Sequence, residues 1–368
     1  MKKSFVALVL FVVGVMANVV VAQSQLSADM GKHIKKEVQY AILLMDNGMV
    51  KQSIHFLDSM NVVHPDNFLV MFELGYAHLL DKNYEKSLNI YKYMCDNLPD
   101  ADAQAYQMLG NLYDYNGNRE KAIEAYKKGI EKFPNSGMIY CELGIMSLYE
   151  NDFNAALDYF ETGIMVEPTY SPNYYRASQL LMDSNQKSWG MIYAETMANL
   201  PSREGRKAEV IKIMTDVINE KITYKNDSIR VSFNEVNVVD TYADVVATLY
   251  EMGFFKAATI KKQGDKFSIK DLIELRSGLF ELVPTLKEDV YLFDFFARLK
   301  EAGHWEAYNY WLFYEVNKEE ADAWLSENYD KLEALSAWLD DNPFELTDKN
   351  SVSRRKLLYG ANDKQKKI

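Results

Sequence analysis

The chain has 368 residues, 48% of them hydrophobic and 13% aromatic, enough for one large core or two modules. Asp and Glu outnumber Lys and Arg by 53 to 41, which gives a formal net charge of -12. That balance lacks the basic footprint that phosphate backbones require, so nucleic acid is not an expected partner.

The first 22 residues read as a signal peptide. Lys2 and Lys3 form a basic start, Phe5 to Val21 is an apolar run, and Val20 and Ala22 place small residues where a signal peptidase reads them. Cleavage there predicts export, with a bacterial periplasm as the expected compartment. The alternatives are secretion, or a retained N-terminus acting as a membrane anchor. No cysteine lies near the cleavage point, which argues against a lipoprotein. Residues 23–33 read as a linker, and no later stretch is long and apolar enough to span a bilayer.

From residue 34 a phrase returns every 34 or 35 residues. Its clearest copy is Tyr106-x2-Leu109-Gly110-x2-Tyr113, then Ala122-x3-Tyr126, then Pro134. The next is Tyr140-x2-Leu143-Gly144, then Ala156-x3-Phe160, then Pro168. Weaker copies carry Ala41, Ser53 and Pro65, then Gly75, Ser87 and Pro99, and finally Ser178, Gly190 and Pro201. In all five, the small residue of the first half precedes that of the second by 12. The repeats divide as 34–67, 68–102, 103–136, 137–170 and 171–203. A fixed period of this length means stacked supersecondary units.

Each part of the phrase has a physical reason. Tyr106, Leu109 and Tyr113 share one helical stripe. Gly110 beside it, and Ala122 on the next helix, let two helices approach closely. Asn47-Gly48, Asn116-Gly117-Asn118, Asn151-Asp152 and Ser184-Asn185 supply turn residues between the helices. The proline after each second helix stops it.

These residues resemble the tetratricopeptide repeat family, most closely over 103–136 and nearly as well over 137–170. The resemblance spans 34–203 and implies an all-α, right-handed solenoid of helix-turn-helix units. It also implies a scaffold that holds a peptide or partner helix, without cofactor, in a concave groove lined by the first helices. By register the groove positions are Phe72, Tyr76 and Leu79 in the second repeat. They are Gln107, Asn111, Asp114 and Tyr115 in the third, and Cys141, Ile145, Leu148 and Tyr149 in the fourth. In the fifth they are Tyr175, Gln179, Met182 and Asp183. Phe72, Tyr76 and Tyr175 are the expected anchors, with Gln107, Asn111 and Gln179 fixing backbone groups. Asn111 alone matches the Lys/Asn set with which the family clamps a C-terminal carboxylate, so a carboxylate clamp is not expected.

The run Phe68 to Leu80 is apolar nearly all round, which predicts burial on every side, by another part of the chain or by a partner. Beyond residue 203 the period fades. Arg206 to Asn219 reads as a helix, and 222–233 as a possible short β-hairpin. Asp240 to Met252 and Phe254 onward read as a helical hairpin turning at Gly253. Ser268 caps a helix through Leu282, and residues 287–314 form a second hairpin turning at Gly303. The region 204–346 is expected to be diverged helical repeats. The end, 347–368, is rich in Lys and Arg and reads as a basic, flexible, solvated tail, with docking on the acidic body or contact with an anionic membrane as the other reading.

Catalytic signatures are missing: no phosphate loop, nucleophile elbow or zinc-protease motif occurs. His78 holds a packing position usually filled by Tyr and is expected in the core. Cys95 and Cys141 fall late in one repeat and early in another two repeats on, which predicts two separate buried thiols and no disulfide. The leading expectation is a non-enzymatic interaction scaffold of the cell envelope. The alternatives are an assembly protein whose groove is filled by its own C-terminal half, and an enzyme with an unrecognised site in 204–346.

Overall fold

The computed structural model describes residues 31–202, 204–225, 228–234, 239–258, 266–287, 290–347, 349–351 and 353–359. The signal peptide expected at 1–22 and most of the linker lie outside the described residues. Two compact units part between Gly129 and Ile130.

The described chain is helical throughout, apart from one small sheet. Its first ten helices are α1 (31–46), α2 (Val50–Val63), α3 (Phe68–Leu80), α4 (Tyr84–Asn97), α5 (Ala103–Tyr115), α6 (Arg119–Lys132), α7 (Gly137–Tyr149), α8 (Phe153–Val166), α9 (Ser171–Asp183) and α10 (Lys187–Asn199). They follow the predicted register, one pair per repeat. Asn67, Asn83, Asp102 and Asp152 cap α3, α4, α5 and α8, each accepting from a first-turn amide. Between the paired helices the backbone turns left-handed at Gly48, Lys82, Gly117 and Asn151. Lys82 is the one no turn signal predicted, because neither Gly nor Asn stands there.

The small residues act as read. A Cβ on Gly75 would lie 2.7 Å from the Tyr91 ring, one on Gly110 2.1 Å from Tyr126, and one on Gly144 2.4 Å from Phe160. Each glycine thus seats an aromatic ring of the second helix directly on the first helix's backbone. Where the second helix carries Ser instead of Ala, its hydroxyl bonds the small residue's carbonyl: Ser53 to Ala41 at 2.8 Å and Ser87 to Gly75 at 2.7 Å.

In the second unit α11 (Glu204–Lys221) leads into β1 (Ile222–Lys225) and β2 (Ser228–Val231), an antiparallel pair with Ile222 opposite Val231. The predicted hairpin is therefore present. Next come α12 (Tyr242–Ala257), α13 (Ile269–Ser277), a 3₁₀ turn (Gly278–Glu281), α14 (Val283–Leu286), α15 (Tyr291–Glu301), α16 (Trp305–Leu312), α17 (Lys318–Asp341) and α18 (Arg354–Tyr359). Thr241 and Ser268 close reciprocal capping boxes with Asp244 and Asp271. Gly303 makes the expected left-handed turn between α15 and α16.

Gly253 does not turn the chain, contrary to expectation. It lies inside α12, where the backbone of Gly278 approaches it so closely that a Cβ on Gly278 would lie 2.0 Å from the Gly253 carbonyl oxygen. Both glycines serve helix contact, and the helix expected to run from Ser268 to Leu282 tightens into the 3₁₀ turn at that point. One core runs through this unit from Phe160 and Trp189 to Phe293, Phe296, Tyr308 and Leu346.

Candidate functional site

The faces presented by the first helices are described unit by unit. In the first unit, Phe72 on α3 is half-buried and packs edge-on against Tyr91, with ring centroids 5.4 Å apart. One turn on, Tyr76 is 38% exposed and Leu80 41%, while Leu79 is half-buried. Burial of α3 on all sides is therefore not what this unit shows, since Leu69 is exposed as well. On α5, Gln107 is half-buried, and Asn111 accepts a hydrogen bond from the Tyr126 hydroxyl at 2.6 Å. That bond pins the side chain that was expected to fix a ligand's backbone. Tyr115 closes α5 at 69% exposure and stacks on Tyr84 at 6.2 Å.

Carboxylates flank this face. Glu73 is partly buried and its carboxyl is raised above the usual range, first by burial and then by the nearby charge of Asp46. Asp114 pairs with Arg119 at 3.6 Å.

In the second unit, Ile145 on α7 packs partly buried on the core, and Tyr149 ends the helix at 54% exposure. Cys141 is buried and free, its thiol pushed up to about 12 by burial, so it is a packing residue rather than a nucleophile. Tyr175 departs from its expected role as an open anchor. It is 6% exposed, its hydroxyl donates to Glu209 on α11 at 2.7 Å, and the guanidinium groups of Arg176 and Arg206 lie 5.4 Å from its ring. Gln179 reaches the same carboxylate at 3.3 Å. Helix α11 thus takes up two of the four groove positions of the fifth repeat, Tyr175 and Gln179.

A register position at the end of the first helix was legible but not singled out as a pattern. Leu80, Tyr115 and Tyr149 are the last residues of α3, α5 and α7, spaced by 35 and 34, and all three are exposed.

The C-terminal region packs on the second helices of this unit. Helices α12 and α15 contact α10, and α18 contacts α8 and α12. Two buried ion pairs mark these contacts. Glu195 on α10 is fully buried and pairs with the equally buried Arg276 of α13, while the Tyr250 hydroxyl donates to Glu195 at 3.2 Å. Arg276 also donates to Asn309, and the rings of Trp305, Phe296 and Phe313 lie 4.8, 5.3 and 5.3 Å from its guanidinium carbon. Burial raises the Glu195 carboxyl, and Arg276 pulls it back.

The second pair corrects the solvated-tail reading of 347–368 for the described part of that segment. Arg354 is buried and grips Glu161 of α8 with two nitrogens, at 3.0 and 2.8 Å. Its backbone amide donates to the Tyr193 hydroxyl at 2.7 Å, which itself donates to Glu161 at 2.8 Å. Local charge counting missed this because the partner lies 193 residues away.

His78 is buried as expected, its Nδ1 without a hydrogen-bond partner, and burial with nearby Lys86 lowers its pKa. Cys95 is likewise buried and forms no disulfide. Among the described residues no group of three His, Cys, Asp or Glu could hold a metal, and no helix is long and apolar enough to cross a membrane.

Residues 103–136, which hold α5 and α6, match the model of the tetratricopeptide repeat family. BBSome complex member BBS4 of Bos taurus is 24% identical over 143 residues, covering 39% of this chain; the chain spans 26% of that relative's length. Among solved structures, MamA (41-end) from Desulfovibrio magneticus RS-1 is 27% identical, covering 36% of this chain and 75% of its own, with a TM-score of 0.32. YrrB, a TPR protein with an unusual peptide-binding site, is 15% identical, covering 49% and 84%, also with a TM-score of 0.32. The family match covers α5–α6, and the neighbouring helix pairs continue the same register.

Proposed function

We propose that the chain is a non-enzymatic, exported interaction scaffold of the cell envelope, which holds a peptide or partner helix on the face of its first helices. The observation that carries this reading is the exposure of large side chains at one register position of the first unit: Leu80 and Tyr115. Exposed tyrosines give large, stiff contact area with a polar tip, the composition favoured at protein interfaces. In the first unit Tyr76 joins them, with Glu73 and Asp46 as the flanking charge. A segment with apolar residues and a few lysines or arginines fits that chemistry.

The test is a photo-crosslinking amino acid placed at Tyr115 in cells, with Tyr329 of α17, 62% exposed, as control. A crosslinked partner at Tyr115, absent at Tyr329 and lost on Tyr76→Ala, supports the reading. No adduct at Tyr115, or equal adducts at both positions, counts against it. Export is tested separately by the mass of the purified chain's N-terminus, which should begin after Ala22.

A further inference from the structure

Glu161 on α8 and Glu195 on α10 stand 34 residues apart, at the same register position in the fourth and fifth repeats. The earlier repeats hold Asp58, Lys92 and Lys127 there, all exposed. Only the last two repeats bury a carboxylate on the second helix, and each meets an arginine and a tyrosine hydroxyl. A buried carboxylate is tolerated only when paired and hydrogen-bonded, so each of these positions is built to receive a guanidinium.

The two stations differ in how their arginine is held. Arg276 is sealed in, with no exposed side-chain surface and three aromatic rings around it. Arg354 sits on a six-residue helix near the chain's end, and its side chain keeps 10% exposure. Its neighbour Arg355 bonds Asp158, which is half exposed, and Leu357 and Leu358 are only half-buried. A helix of six residues is too short to be stable by itself, so its order rests on this docking.

We propose that the face of α8 that carries Asp158 and Glu161, with Tyr193 of α10 and Gln186 just before that helix, is a second binding site, for an arginine-led helical segment of the form Arg-Arg-x-Leu-Leu. The chain's own residues 353–358 fill it in cis, and a partner segment of that chemistry takes their place. Glu161 reads the first guanidinium through a bidentate pair, a geometry that lysine cannot reproduce. Gln186 accepts from the same side chain at 3.0 Å, and Asp158 takes the second arginine at 2.6 Å. This site uses the second helices and stands independently of the first-helix face.

The probe is a fluorescein-labelled peptide with the sequence of residues 351–359, its binding to the full chain read by anisotropy. The cis segment competes at an effective concentration on the order of mM, so the wild-type chain binds the peptide weakly. The variant Arg354→Ala/Arg355→Ala should bind it about ten-fold tighter or more, and adding Glu161→Gln should abolish that gain. The proposal is overturned if the folded double variant binds no tighter than wild type, or if Glu161→Gln leaves its binding unchanged. Should the double variant fail to fold, hydrogen exchange on the wild-type chain decides. Amides of 354–358 exchanging well ahead of the α8 core support exchange in trans, and amides exchanging only together with α8 overturn it.

Discussion

Replacing Glu195 by Gln keeps the shape of the side chain and removes its charge. Arg276 is then left in a fully buried cage with Asn309 and three aromatic faces, and without a counter-charge. Breaking a buried pair from one side costs about 3–5 kcal/mol, and the isosteric amide, which can still accept one hydrogen bond, places this variant near 3 kcal/mol. For a unit of this size each kcal/mol moves the melting midpoint by about 2–4 °C, so a drop of roughly 6–12 °C follows. All five tryptophans (Trp189, Trp305, Trp311, Trp324 and Trp338) lie in the second unit, so urea unfolding followed by tryptophan fluorescence reports that unit alone. The companion variant Glu195→Gln/Arg276→Met removes both charges and should recover most of the loss. A single-variant loss under about 1 kcal/mol, or a double variant less stable than the single, would refute the idea that this pair is held by mutual compensation.

Gly110→Ala adds a methyl where the Tyr126 ring already lies, 2.1 Å from the new atom. Overpacking of about 1–3 kcal/mol should exceed the gain of up to about 1 kcal/mol in helix propensity, giving net destabilisation by far-UV circular dichroism. Gly205→Ala, which meets open space in α11, should be neutral or stabilising. His78 has a folded pKa below its unfolded value of 6.5, so the unfolded state takes up the proton first. Its contribution to stability is complete above pH 6.5 and declines as pH falls from there toward the folded pKa. Unfolding midpoints from pH 7.5 to 5 should show that decline in wild type and a shallower one in His78→Tyr.

What the sequence made legible was whatever depends on neighbours within one repeat. Gly75, Gly110 and Gly144 announce close contact because a ring follows 16 residues later, at Tyr91, Tyr126 and Phe160. The hairpin at 222–231 was readable from alternation, and the turn at Gly303 from its place between two helical patterns. Gly253 was misread because a glycine that turns a chain and one that admits another backbone look alike in sequence. The Tyr175 hydroxyl and the Arg354 guanidinium found carboxylates 34 and 193 positions away, distances over which no local pattern carries information. On the first helices, register placed Tyr115 and Tyr149 among the groove positions, but their exposure depends on tertiary contacts that no local pattern specifies.

The change from exposed Asp58, Lys92 and Lys127 to buried Glu161 and Glu195 also bears on how such an array can lengthen. Duplicating the second or third repeat copies a side chain that faces water and asks nothing of the remainder. Duplicating the fourth or fifth copies a buried acid whose arginine exists once, so the copy would carry an uncompensated charge. On this ground an added unit upstream of residue 137 should cost the fold less than one downstream of it.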